Sequence, residues 1–167
     1  KYLPKIANGM VSAFALTEPN AGSDPASMTT FAEKSEDGDH WILNGEKLWC
    51  TNGAVADVLV VMAATPPIQK RGKEIKQISA FIVDADSPGV EVMHRCKFMG
   101  IRGIENAVIR FHNVRIPNEN LIWGEGKGLR LALTTLNDGR LGIPAIAASG
   151  AEQVAEFVAS WAKTREQ

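Results

Sequence analysis

The sequence has little with which to hold a metal or to brace a small fold covalently. Its two cysteines, Cys50 and Cys96, lie far apart with no CxxC spacing. Its three histidines, His40, His94 and His112, fall at no metal-ligand interval from one another or from the cysteines. No metal site is expected, and both cysteines read as free thiols of a reducing compartment. Net charge is equally scarce: −1, from 18 basic and 19 acidic side chains, which gives no reason to expect nucleic acid or an anionic lipid surface as partner. The longest apolar runs, such as residues 58–64, are too short to span a bilayer as a helix. No signal-peptide pattern opens the chain, and nothing in it is repeated or of low complexity. The protein reads as intracellular.

What is present is ordinary globular material. The 167 residues are 45% hydrophobic and 22% charged, enough for one domain and a fraction of another. A domain of this size buries roughly 70% of the surface its unfolded chain exposes, so a core is expected. The chain starts at Lys1 rather than methionine and stops at Gln167 inside a helical pattern with no glycine or proline to end it. It reads as a piece of a longer polypeptide.

From Gly9 to about Ile122, short strand-like runs alternate with turn signals. Asp37-Gly38 separates SMTTFAEKS from DHWIL, Asn44-Gly45 separates HWIL from EKLW, and Asn52-Gly53 follows LWCT; each dipeptide suits a tight reversal. Three such signals within 17 residues predict an antiparallel meander. Further strand candidates are 58–64, 76–83, 90–93, 107–111 and 120–123, with a turn at Ser87-Pro88-Gly89. About eight strands at this spacing predict a mainly β protein, an antiparallel barrel or sandwich. The charged stretch 69–76 (QKRGKEIK) reads as a solvated loop between two strands.

The character changes at GEGKG (124–128), whose spacing matches neither GxGxxG nor GxxxxGK[ST] and which reads as a flexible lead-in to a helix. Beyond it Leu129, Leu133, Leu136, Ile143, Ala147, Val154, Phe157 and Trp161 recur at helical spacing, predicting one long helix. At ~1.5 Å per residue such a helix outruns a small domain, so partner helices outside the chain are implied.

Three places invite a functional reading. Counting by sevens along the apolar stripe gives Leu133, Arg140, Ala147, Val154 and Trp161, which assigns a guanidinium to the interior; four residues on, Pro144 predicts a kink. A structural ion pair and a substrate or cofactor contact account for Arg140 equally well. The stretch AFALTEPNAGSD (13–24) leaves a strand expected at 11–16 and enters a loop of Thr17, Pro19 and the small Ala21-Gly22-Ser23 run. Its free N–H groups and lack of bulk suit close approach by a flat polar ring or a phosphate. In the predicted strand at 49–51, Trp49 and Thr51 place an aromatic plane and a hydroxyl on one face, flanking Cys50. A surface turn and a core tryptophan explain these two places as well.

Taken together, LTEPNAGSD, KLWCTNG, RIPNENLIWGEGKG and LNDGRLGIPAIAASG resemble the acyl-CoA dehydrogenase family, the flavoproteins of fatty-acid β-oxidation, in the family's order and over essentially the whole chain. The resemblance implies the family's middle β-domain over 1–123 and, over 124–167, the start of a truncated C-terminal helical domain. It implies FAD held by Phe14, Leu16, Thr17, Gly22, Ser23, Trp49, Cys50 and Thr51, in a slot whose amides and hydroxyls grip the isoalloxazine. The tryptophan would pack on the ring, and the threonine hydroxyl would point toward N5. It also implies an acyl-CoA contacted by Ser23, Asn137, Asp138, Gly139 and Arg140, which favours function for Arg140.

The implied reaction is α,β-dehydrogenation of the thioester, with electrons passed to an electron-transferring flavoprotein. A homo-oligomer, dimer or tetramer, is implied for the full-length protein, in a bacterial cytoplasm or mitochondrial matrix. Some members carry the catalytic glutamate at the position of Gly139; its absence implies a base beyond this chain and an inactive fragment. Cys50 stands for a commoner isoleucine and Asn137 for the aspartate of many members. Asn137 and the long 69–76 loop resemble the very-long-chain type. An acyl-CoA oxidase would share most of these motifs, and a non-catalytic β-barrel binding module derived from the family is the alternative outside enzymes.

Overall fold

In a computed structural model describing residues 1–166, a short helix α1 (Leu3–Ala7) precedes eight strands and a long helix. The strands are β1 (Ser12–Ala15), β2 (Phe31–Lys34), β3 (His40–Cys50), β4 (Val58–Lys70), β5 (Lys73–Asp84), β6 (Val90–Arg95), β7 (Ala107–Pro117) and β8 (Leu121–Ile122). Helix α2 spans Gly128–Thr164. The chain divides into two compact units, Lys1–Leu131 and Ala132–Gln167. Among the described residues no helix is long and apolar enough to cross a membrane.

The first unit is one curled sheet in the order β6-β7-β3-β2-β4-β5-β8, with β1 lying parallel to β4. This departs from the expected meander. The pairs β2–β3, β4–β5 and β6–β7 are antiparallel sequence neighbours, but β3 pairs with the distant β7, and β4 runs parallel to both β1 and β2. The apolar run at the start of β4 explains its place. Nearly every residue from Val58 to Thr65 is buried, as in a strand covered on both faces.

Sheet curl gathers Trp41, Leu43, Leu59, Val61, Phe81, Val83, Ile109, Phe111, Val114 and Ile116 into one apolar core. Trp41 and Phe81 meet there with ring centroids 5.2 Å apart, tilted at 60°. That arrangement adds about 1 kcal/mol to what their burial supplies.

Two turn expectations need correction. Asn44-Gly45 is not a reversal: it lies inside β3, where the register against β7 shifts between Leu43 and Gly45. Gly45 has φ +142°, and a Cβ there would sit 2.6 Å from Thr30 Cα, so both the bulge and the close approach of the chain at Thr30 demand glycine. Residues 69–76 are not a loop but the tip of the β4–β5 hairpin, paired from Gln69↔Glu74 to Lys70↔Lys73 around a turn at Arg71 and Gly72, both with positive φ. A ladder uses backbone groups only, so exposed charged side chains do not prevent it. By contrast Asp37-Gly38 does turn the chain, with Ser35 N donating to His40 O at 2.9 Å.

The glycines of 124–128 do more than loosen the chain. Gly128 opens α2 with its backbone against β5, where an added Cβ would lie 2.7 Å from Ala80 N. In the second unit α2 continues without interruption through Pro144. Arg140 is exposed rather than interior, as are Leu133, Ile143, Val154, Phe157 and Trp161, because nothing among the described residues covers that stripe.

Trp41→Ala is expected to lower the stability of the β-unit by about 3–5 kcal/mol, read as a shift in the urea-unfolding midpoint followed by far-UV circular dichroism.

Candidate functional site

The two stretches singled out in the sequence are joined in the fold. After β1 the chain runs beside the end of β3: Leu48 N donates to Thr17 O at 2.8 Å, and Asn52 Nδ2 donates to Ser12 O at 3.4 Å. The Cys50 thiol faces Phe14 O at 3.6 Å. A tight turn follows, closed by Glu18 N to Ala21 O at 2.9 Å and Ala21 N to Glu18 O at 3.2 Å, with Pro19 supplying the preset φ. The turn drives the Glu18 side chain inward.

Glu18 is 3% exposed and Lys47 fully buried, and they form an ion pair at 2.8 Å. Every strong acceptor and donor around them is used. The carboxylate also accepts from Thr29 N at 2.7 Å, Thr29 Oγ1 at 2.8 Å and Thr30 N at 3.0 Å. Lys47 Nζ donates to Leu16 O at 3.0 Å and touches Met28 Sδ at 4.0 Å. Burial alone would push the Glu18 carboxyl up, but the bonds from Lys47, Thr30 and the Thr29 amide, with the Lys47 charge, outweigh it and bring its pKa down to about 2. Burial draws Lys47 below the usual lysine range while Glu18 opposes the shift. Glu18 is therefore an ionised structural group.

The end of β3 carries a second irregularity. Its register against β7 shifts between Lys47 and Cys50, and Trp49 adopts φ 55° in the left-handed region that non-glycine residues rarely occupy. The bulge turns the indole outward, leaving Trp49 58% exposed, so it is not a core tryptophan. Thr51 lies past the end of the strand, in the turn, and is also exposed; the expectation that it shares a strand face with Trp49 is corrected by the bulge. The buried Asn106, immediately before β7, donates from Nδ2 to Trp49 O and to Thr51 Oγ1, both at 3.2 Å. Its Oδ1 is buried with no partner among the described residues, a state that costs about 1–3 kcal/mol. Between these residues, Cys50 is buried, and burial raises its thiol pKa to about 11 against the pull of Lys47. That leaves its backbone as its means of contact.

Phe14, Leu16 and Thr17 are half-buried beside β3, and Gly22 and Ser23 are exposed beyond the turn, ahead of Asp24, whose Oδ1 caps the Pro25–Ser27 turn at Ala26 N, 3.1 Å away. The candidate flavin residues other than Cys50 are thus half-buried or exposed, Trp49 and Thr51 at the end of β3 and Thr17, Gly22 and Ser23 in and beyond the β1 loop. In the second unit Asn137, Asp138, Gly139 and Arg140 form one exposed turn of α2, with Arg140 Nη1 donating to Asn137 Oδ1 at 3.2 Å. Sequence reasoning missed Lys47 and Asn106. A signal existed for Lys47: counting by twos from Trp41 and Leu43 lands on it, an inward position for a charge.

The first unit is thus a mixed β-domain in which the β1 loop is hydrogen-bonded to the end of β3. Residues 13–114 match the model of the acyl-CoA dehydrogenase middle domain, and the chain belongs to the acyl-CoA dehydrogenase family. It is 54% identical over 168 residues to the probable acyl-CoA dehydrogenase FadE10 of Mycobacterium tuberculosis, covering all of this chain and 25% of that protein. It is 43% identical over 147 residues to the human mitochondrial very long-chain specific acyl-CoA dehydrogenase, covering 87% of this chain and 22% of that one. The solved acyl-CoA dehydrogenase from Bacillus anthracis, complexed with FAD, superposes with a TM-score of 0.84 at 38% identity, over 99% of this chain and 27% of the other. The chain thus spans about a quarter of the length of these proteins.

Because the folded pKa of Glu18, about 2, lies below the ordinary 4.5, the unfolded chain binds more protons in that window. The pair's stabilisation is present above about pH 4.5 and is lost as pH falls toward 2. The urea midpoint is expected to drop through this range, and Glu18→Gln to flatten the drop. Lys47→Met, which strands a buried carboxylate, is expected to cost about 3–5 kcal/mol at pH 7.

Proposed function

We propose that the chain is part of a flavin-dependent acyl-CoA dehydrogenase, residues 1–123 being its middle β-domain and 124–167 the start of its C-terminal helical domain. The full-length protein removes hydrogen from Cα and Cβ of an acyl-CoA thioester and passes the electrons to an electron-transferring flavoprotein. It does so as a homo-oligomer, in a bacterial cytoplasm or a mitochondrial matrix. The observation that carries this reading is the union of the β1 loop with the bulged end of β3, where the Trp49 indole and Thr51 are exposed.

These residues fit a flavin. Trp49 offers an exposed plane for ring packing, Thr17, Ser23 and Thr51 offer hydroxyls, and Phe14, Leu16, Gly22 and the Cys50 backbone would complete the contact. Bound FAD supplies the hydride acceptor. The chain's own work is to hold and orient. In this reading Ser23 of the first unit would contact the acyl-CoA and so, taken separately, would Asn137, Asp138, Gly139 and Arg140 of the second, where the Arg140 guanidinium would complement a negative charge. The proton-abstracting base lies outside this site: Glu18, at about 2 and fully committed to Lys47 and Thr29, is too weak a base, and position 139 carries no side chain.

The full-length protein is expected to purify yellow, to release FAD on denaturation, and to lose its visible flavin band when a saturated acyl-CoA is added without oxygen. Thr51→Val is expected to weaken FAD binding about tenfold, the worth of one hydrogen bond of about 1.4 kcal/mol. A colourless full-length protein that takes up no added FAD overturns the reading. Reoxidation by oxygen as fast as by an electron-transferring flavoprotein marks an acyl-CoA oxidase instead.

A further inference from the structure

We infer that Asn106 is a positioning residue for the flavin: by donating both amide hydrogens, to Trp49 O and Thr51 Oγ1, it clamps the Trp49 bulge and makes the Thr51 hydroxyl a donor toward the bound isoalloxazine. The inference rests on the FAD reading above and adds a residue from outside both flavin segments.

The direction of each bond follows from what the partners can do. A backbone carbonyl only accepts, so the contact to Trp49 O at 3.2 Å fixes which end of the Asn106 amide faces the segment; the flipped amide would set two oxygens against each other. With Nδ2 so fixed, its second hydrogen goes to Thr51 Oγ1 at 3.2 Å. Thr51 is thereby the acceptor in that bond, and its own proton points elsewhere. Thr51 is itself exposed, so that proton is free to be offered outward to a bound group.

Two further observations agree. Asn106 is 3% exposed and its Oδ1 has no partner among the described residues, so the position uses the donors of the amide and forgoes its acceptor. Trp49 and Asn52 hold φ of 55° and 63° on either side of Thr51, strain that persists only where the surroundings over-determine the backbone. Asn106 supplies that constraint and is itself held, its carbonyl accepting from Cys96 N at 2.8 Å.

The test uses the full-length, FAD-loaded protein with Asn106→Leu, Thr51→Val and the two combined. Asn106→Leu is expected to keep the circular dichroism of the fold, weaken FAD binding about tenfold, and shift the visible flavin bands and midpoint potential in the same direction as Thr51→Val. The double variant is expected to shift no further than Thr51→Val alone, the sign that Asn106 acts through that hydroxyl. Asn106→Ser, which keeps one donor, is expected to recover part of the shift; if Asn106→Leu does not fold, Asn106→Ser carries the same cycle. Fully additive shifts, or an Asn106 variant with the parental spectrum and potential, overturn the inference while leaving the FAD reading intact. A parent protein that binds no FAD overturns both.

Discussion

The ion pair between Glu18 and Lys47 is the constraint on which the site's geometry depends. Taking two charges out of water is costly, and the cost is met here only because the carboxylate and ammonium are saturated by Thr29, Thr30 and Leu16 as well as by each other. That requirement leaves little freedom. The 18–21 turn must insert where the Thr29 and Thr30 amides can reach it, the carbonyl of Leu16 must face Lys47, and β3 must enter at one register. Exposed pairs in the same sheet, such as Arg110 with Glu46, impose no comparable restriction because water competes for both partners. Glu46 and Lys47 are chain neighbours on opposite faces of one strand, and only the inward one organises anything.

The irregularities of β3 belong to this arrangement. At the first bulge Gly45 lets the backbone of Thr30 come close, and the amide of Thr30 is one of the donors to Glu18. The ion pair follows at Lys47, and two residues later the second bulge turns the Trp49 indole out of the core. Bulge, ion pair and bulge thus form one continuous device. A regular strand would have kept Trp49 either in the core or flat along the sheet. Here its backbone carbonyl is tied to Asn106 and its ring is exposed.

Much of the β-unit was legible because strand formation has a local signature. The apolar run at 58–64 announced a strand, and Asp37-Gly38 announced its turn. The failures were local ambiguities. Asn-Gly at 44–45 carries the same freedom whether the chain reverses or bulges, and the choice depends on Thr30, which comes near only after folding. Charge at 69–76 looked like a loop because hydropathy reports side chains, whereas the hairpin there is held by backbone pairing. The two candidate segments were recognisable from their turn chemistry, yet their union was not. Phe14 and Cys50 are 36 positions apart, Asn106 and Trp49 57, and no periodicity reaches that far.

Alternation, turn residues and helical spacing act over a few positions, so the sequence by itself determined that the chain is strand-rich, that a long helix follows, and that the 13–24 and 49–51 stretches are irregular. Which of their residues come together was decided by the tertiary structure alone. The pairing of β1 with β4 and of β3 with β7, the burial of Lys47 against Glu18, and the outward turn of Trp49 all depend on partners supplied by distant parts of the chain. A buried charge or a strained backbone is stable only when those partners arrive together.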